Sequence, residues 1–264
     1  MPSVEKEIKE KHAYLQSVTN CLRILKSFTD EKSEWTVKEL SATLGISSSA
    51  VSRLLSTMAN EGFITKISGT HRFRLGNSVL ALSGVLTSSQ EIYREALPVL
   101  EQLVKKTGET SHLSILENYH TVYLHKVDSN HPVQTLSYIG KPNPLHCTSS
   151  GKGLTAFSED AFIQAVVERG LERHTPKTLT DPDVFLAQLQ QIRRQKYAID
   201  VEEFLTGVSS IAAPIRDYTK KVVAAVNVVG PIQRVNQNTI PFLVSQVVEA
   251  ANEISQRMGY FSKP

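Results

Sequence analysis

The stretch Thr36–Phe63, TVKELSATLGISSSAVSRLLSTMANEGF, leaves the backbone few options. Thr36 stands three residues before Glu39, the spacing of a capping box, and predicts a helix over VKELSATL. Gly45 stops that helix as a left-handed C-terminal residue. Ser47 caps a second helix. Inside it Val51, Leu54, Leu55 and Met58 fall at i, i+3, i+4 and i+7, an inward apolar stripe. Gly62 closes it. Upstream, VTNCLRILKSFT (18–29) places Val18, Leu22, Leu25 and Phe28 at helical spacing. Downstream, FITKI and HRFRL are two short strands joined by Ser68-Gly69-Thr70. The order is helix, helix-turn-helix, β-hairpin.

In a helix-turn-helix the second helix enters the major groove with its N-terminal residues at the base edges. Ser47, Ser48, Ser49, Ser52 and Arg53 lie at that end or off the stripe. Small hydroxyl residues allow close approach, and arginine supplies bidentate recognition of guanine or phosphate. The hairpin adds Lys66, His71, Arg72 and Arg74, a basic wing suited to the DNA backbone or minor groove. Charge agrees: residues 1–75 hold 11 Lys+Arg against 8 Asp+Glu, which accounts for the whole net charge of +3. The alternative is a solvated polar face, but caps, stripe, turn and basic hairpin agree in order and spacing.

A second unit follows. NSVLALSGVLTSSQ is a connecting helix too apolar for a solvated linker, so it is expected to pack against another chain or domain. The next helix spans about 91–107, with Ile92, Ala96, Val99, Leu100 and Leu103 on one face, Pro98 inside and Gly108 at its end. SHLSILE, TVYLHKV and VQTLSYI read as strands. Helices are expected over about 151–169 and 183–195. Strands return as YAIDVEE, SSIAAPIRD and KVVAAVNVV, and a last helix covers about 239–258. The expected domains are residues 1–75 for DNA binding, 76–90 as linker helix and 91–264 for the α/β unit.

The hydrophobic fraction of 41% and charged fraction of 21% are those of an ordinary globular protein. Two distant cysteines, Cys21 and Cys147, suit a reducing compartment. No apolar run reaches the roughly 18 residues a bilayer span needs, and the N-terminal residues MPSVEKEIKEKH lack a secretory apolar region. The expected location is the cytoplasm, with no membrane partner.

Three stretches carry a resemblance to a known family: EGFITKISGTHRFRLG, PLHCTSSGKGLTAF, and KYAIDVEEFLTGVSSIAAPIRD followed by KVVAAVNVVGP. From about Ser17 to Tyr260 the chain resembles the IclR family of bacterial transcriptional regulators. The resemblance implies an α+β fold, with an N-terminal winged helix-turn-helix, a connecting helix and a C-terminal GAF-like effector domain. It implies binding to double-stranded operator DNA, assembly as homodimers or dimers of dimers, and control by a small-molecule effector. It also implies that Ser149, Ser150 and Asp200 lie at the effector pocket, with His146 and Cys147 close by. The family often has cysteine at the position of Ser210. The serine here is a better hydrogen-bond partner, so the effector of cysteine-bearing relatives does not transfer.

The residues themselves suggest a ligand. The segment HCTSSGKGLTAF opens a helix after a loop, where the N–H groups of Ser149, Ser150 and Gly151 would be unpaired and favour an anion. Asp200 and Ser210 share a face if 197–203 and 208–214 are neighbouring strands. Taken as ionised, Asp200 repels a carboxylate and accepts from hydroxyls. A small hydroxy-, oxo- or sugar acid satisfies both ends. The expected function is a DNA-binding transcriptional regulator, a repressor, controlled by such an acid and using no cofactor. Two alternatives stay open. The α/β unit could serve oligomerisation alone, or it could be an enzyme using Cys147. Against the enzyme, His146 and Cys147 as neighbours on a strand would point to opposite faces. SSGKG also fails the phosphate-loop pattern. His112, His125, His131 and His146 lack the tight spacing of a zinc motif, so no metal is expected.

Overall fold

The computed structural model describes residues 14–29, 31–89, 91–129, 131 and 137–261. The chain divides into two compact units between Ser89 and Gln90.

The first unit runs α1 (Gln16–Lys26), β1 (Trp35–Thr36), α2 (Val37–Leu44), α3 (Ser48–Asn60), β2 (Ile64–Lys66), β3 (Arg72–Leu75) and α4 (Asn77–Ser89). Its boundaries follow the sequence signals. Thr36 and Glu39 form a capping box, Gly45 is left-handed at φ 67°, and the Ser47 hydroxyl accepts from the Ala50 amide at 3.3 Å. Ile24, Trp35, Leu40, Val51, Leu55, Met58 and Ile64 make the core, with Leu54, Leu25 and Phe28 against it. Ile24 is the buried residue of α1, whereas Val18 and Leu22 are about half exposed. Strand β1 was not foreseen. It pairs with β3 and turns the hairpin into a three-stranded sheet of order β1-β3-β2.

The second unit runs α5 (Glu91–Thr107), β4 (Thr110–Glu117), β5 (His120–Val127), β6 (Pro142–Asn143), α6 (Ser149–Thr155), α7 (Asp160–Glu168), α8 (Pro182–Gln195), β7 (Ala198–Val201), β8 (Val208–Arg216), β9 (Val222–Pro231) and α9 (Ile240–Arg257). Six strands form one antiparallel sheet of order β6-β5-β4-β9-β8-β7. The α+β class therefore stands. The strand expected over 133–139 lies largely outside the described residues, and Ile139 and Gly140 are in a turn.

The helix expected over 151–169 is two helices. Arg193 of α8 causes the break. Its guanidinium donates to the Ala156 carbonyl, to Ser158 O at 3.3 Å and to Asp160 Oδ1 at 3.2 Å. It thus satisfies carbonyls that a continuous helix would have used internally.

Alternation along the strands splits the sheet into two unlike faces. Leu113, Ile211, Ala213, Ile215, Ala224, Val226 and Val228 meet Ala96, Leu100 and Leu103 of α5 and Leu243, Val247 and Ile254 of α9. The opposite face carries Asp200, Ser210, Ala212, Asn227, His112 and Ser114, and α6 lies over it. A Cβ on Gly153 of α6 would sit 3.9 Å from the Ala198 Cβ and 4.0 Å from that of Ala212. A Cβ on Gly151 would come 2.5 Å from the Leu145 carbonyl oxygen, so glycine there lets α6 seat closely on the loop before it.

Candidate functional site

In the first unit Ser49, Ser52 and Arg53 project from α3 into solvent. Ser47 and Ser48 do other work. Ser47 caps α3, and the Ser48 hydroxyl donates to Ser41 Oγ at 3.1 Å, tying α3 to α2. Ser47 and Ser48 are exposed as well, but their hydroxyls already have partners within the unit. The wing residues Lys66, His71, Arg72 and Arg74 are all exposed. They do not converge on one side. Lys66 pairs with Phe73 and Thr65 with Arg74, so Arg74 and Arg72 share one face of the hairpin and Lys66 takes the other. Arg72 also faces Glu34 at 4.0 Å, which offsets part of its charge.

In the second unit the polar face is buried and internally bonded. Asp200 sits directly opposite Ser210 in the β7–β8 ladder. Ser210 Oγ donates to Ser149 Oγ at 2.7 Å and to Asp200 Oδ2 at 3.2 Å, and Asp200 Oδ1 accepts from the Glu203 amide at 2.8 Å. Ser114 Oγ donates to Ser150 Oγ at 3.0 Å. Ser149, Ser150, Asp200 and Ser210 are therefore brought together as expected. The anion-site reasoning needs correction. Thr148 is the N-cap of α6, and its hydroxyl accepts from the Gly151 amide at 3.1 Å, so that N–H is already used.

Asp200 also differs from the ionised carboxylate assumed from sequence. Burial pushes its pKa up to about 7, the Lys152 ammonium opposes the rise, and the Glu203 carboxyl adds to it. Lys152 is wholly buried and donates to Ile199 O at 2.7 Å and Glu203 Oε1 at 2.5 Å. Glu203 Oε2 is buried with no hydrogen-bond partner among the described residues.

The sequence pattern assigns no place on this polar face to Lys152, Glu203, His112, Tyr123, Asn227 or Ser114. Asn227 Oδ1 accepts from the His112 amide at 3.1 Å and lies 2.9 Å from His112 Nδ1. His112 stacks on Tyr123 at 4.2 Å. Burial pushes the Tyr123 phenol up to about 12, with the Asp200 charge adding to the rise, so these groups border one polar region. A signal for it was present in KVVAAVNVV: one asparagine inside an apolar strand needs a buried partner.

His146 and Cys147 lie on the loop before α6, not on a strand, so the opposite-faces reasoning about them fails. His146 Nε2 is 2.8 Å from the Glu172 carbonyl oxygen, and the His146 ring lies 5.9 Å from that of His174.

A winged helix-turn-helix and a separate α+β unit on one chain define the class of two-domain DNA-binding regulators. The comparisons narrow it. The helix-turn-helix domain of the IclR family matches residues 17–68, and the C-terminal domain of bacterial transcriptional regulator IclR matches residues 85–256. The HTH-type transcriptional regulator XynR of Escherichia coli K12 is 31% identical over 248 residues, 93% of this chain and 98% of XynR. The HTH-type transcriptional regulator KdgR of the same organism is 31% identical over 95% of both chains. The crystal structure of Thermotoga maritima IclR matches with a TM-score of 0.79 at 26% identity, over 94% of this chain and all of that one. The chain belongs to the IclR family and is a DNA-binding transcriptional regulator. Among the described residues no helix is long and apolar enough to cross a membrane.

Proposed function

We propose that this regulator acts in the cytoplasm as a repressor. It reads a partly palindromic operator as a homodimer or dimer of dimers, and it responds to a small carboxylate effector such as a hydroxy-, oxo- or sugar acid. The observation that carries the effector reading is the sheet face under α6. An oligomerisation scaffold gains nothing from a buried row of hydroxyls and a carboxyl. Here Ser210 bonds Ser149 and Asp200, and Ser114 bonds Ser150, and a polar ligand can exchange those bonds for its own at small net cost. His146, Cys147 and Gly151 border the same site. Cys147 is fully buried, which holds its thiol above the ordinary range and disfavours the nucleophilic thiolate. That supports a sensor over an enzyme. Dimer formation is supported by Val18 and Leu22 of α1 and by Leu80 and Leu82 of α4, all more than half exposed.

On the DNA side, Arg53→Ala is expected to weaken specific operator binding by about 1–3 kcal/mol and to relax preference at one base pair. Lys66→Ala should instead weaken binding to all sequences and reduce the salt slope by about one. Arg72→Ala should do less, because Glu34 already faces it. Fluorescence anisotropy on operator and scrambled duplexes across salt separates these outcomes. Unchanged operator affinity in Arg53→Ala would remove that residue from the recognition face.

On the effector side, a melting-temperature panel of small acids should yield one that stabilises the protein. Operator titration with and without that acid should show a coupling of about 1–3 kcal/mol. Asp200→Ala is expected to abolish the coupling while leaving ligand-free operator binding near normal. Ser210→Ala removes one hydrogen bond, on the order of 1 kcal/mol, and should be milder. Full acid sensitivity in Asp200→Ala would place the pocket elsewhere.

A further inference from the structure

His146, Cys147 and His174 each offer one ligand atom, and the three atoms lie within 4.8 Å of one another. We propose that they form a zinc-type metal site with three protein ligands and one open position. The proposed metal site shares His146 and Cys147 with the border of the proposed effector site, but it rests on this cluster and not on the serines or Asp200.

The donor set comes first. Two imidazoles and a thiol, with no carboxylate among the three, match zinc and related soft or borderline cations and not magnesium or calcium. Three protein ligands with a fourth position left over is the open kind of zinc site.

The surroundings fit that role. The Glu172 carbonyl can only accept, so the His146 Nε2 beside it carries the proton. His146 Nδ1 is then left with its lone pair. This is the usual outer arrangement of a metal-binding histidine: one ring nitrogen donates to a carbonyl, and the other faces the ion. His174 is held from two sides. Its amide donates to Thr178 Oγ1 at 3.0 Å, and its ring meets the edge of Phe204 at 5.2 Å. His146 and Cys147 are buried while His174 is exposed, so an ion has a route in and its outermost ligand can move. Bond lengths of about 2.0–2.3 Å in a tetrahedron put ligand atoms roughly 3.5 Å apart. Closing from 4.8 Å needs about 1 Å of motion, within reach of one exposed imidazole.

Binding replaces the Cys147 S–H bond by a sulfur–metal bond and releases that proton to solvent. Asp200 and Glu203 add negative potential at Cys147, and Lys152 opposes it.

The test uses full-length, untagged, chelator-treated protein. Titration with zinc against a chromophoric chelator is expected to show one tight equivalent per chain. Cobalt in its place should give a thiolate-to-cobalt absorption band together with the visible bands of a tetrahedral ion. Cys147→Ser should remove the thiolate band. His174→Ala should weaken binding at least tenfold, and its exposed position keeps folding out of the question should Cys147→Ser fail to fold. Cys21→Ser and His120→Ala should leave binding unchanged. Substoichiometric uptake, or equal affinity in His174→Ala, would overturn the proposal. No acid is present in these titrations, so their result and the fate of the effector reading are separable.

Discussion

Lys152→Met is expected to destabilise the protein by about 3–5 kcal/mol, the range for removing one partner of a buried ion pair. The loss should deepen as pH rises. Lys152 is wholly buried, and its ammonium is the cation that Glu203 pairs with and Asp200 feels. Methionine keeps most of the volume, so the effect reads charge and not a cavity. The pH dependence follows from the carboxyls. Asp200 titrates at about 7 in the fold against an ordinary 3.8, and burial also raises Glu203. A raised carboxyl favours the protonated fold. Its stabilising contribution is complete below the ordinary carboxylate range and is lost as pH climbs through the folded value. Without Lys152 the two carboxyls lose their countercharge, so that loss grows. Urea unfolding at pH 5 and pH 8 should show a wider gap between variant and wild type at pH 8. Adding Glu203→Leu should recover much of it, since replacing a whole buried pair with apolar groups is often close to neutral. A gap under about 1 kcal/mol, or one equal at both pH values, would show that Lys152 is not coupled to the carboxyls.

What was legible in the sequence was local. Thr36 with Glu39, Gly45, Ser47 and the Val51–Met58 stripe each specify a bond or a burial within a few residues, and each is met. The Asp200–Ser210 pairing followed from two strands close in the chain. The rest depends on partners far apart in sequence. Arg193 breaks a helix through bonds to residues 33 to 37 positions upstream. Ser114 and Ser150 meet across 36 residues, and His112 and Asn227 across 115. Periodicity does not report such pairings. Lys152 was read only as part of a failed phosphate loop, because a lysine in sequence carries no sign that it will be buried. His174 carries no local signal, because its loop is placed by distant bonds: His146 Nε2 at the Glu172 carbonyl, and the Thr175 and Thr178 hydroxyls donating to the Glu202 and Glu203 carbonyls. The wing shows the same limit: Lys66, Arg72 and Arg74 stand close together in sequence, but the strand pairing puts Arg72 and Arg74 on one face and Lys66 on the other.

Leu55→Ala is expected to cost the DNA-binding unit about 2–5 kcal/mol, the range for a buried leucine cut to alanine. Leu55 is fully buried at the back of α3, among Ile24, Leu40, Val51, Met58 and Ile64. A unit of this size buries a smaller share of its surface than a large domain and has little stability to spare. The residue also ties core to function. Ser52 and Arg53 stand on the solvent side of the same helical turn, so a cavity under Leu55 loosens the angle at which they stand. The signature should differ from that of Arg53→Ala. Losing Arg53 is expected to lower affinity for the operator relative to scrambled DNA. Losing Leu55 should lower both together, and more steeply as temperature rises. Hydrogen exchange gives the stability directly: amides of α3 and β2 should lose protection by at least tenfold, the factor that corresponds to 1.4 kcal/mol. Protection retained within a factor of three, with operator binding intact, would mean that the stripe read from the sequence does not hold the recognition helix in place.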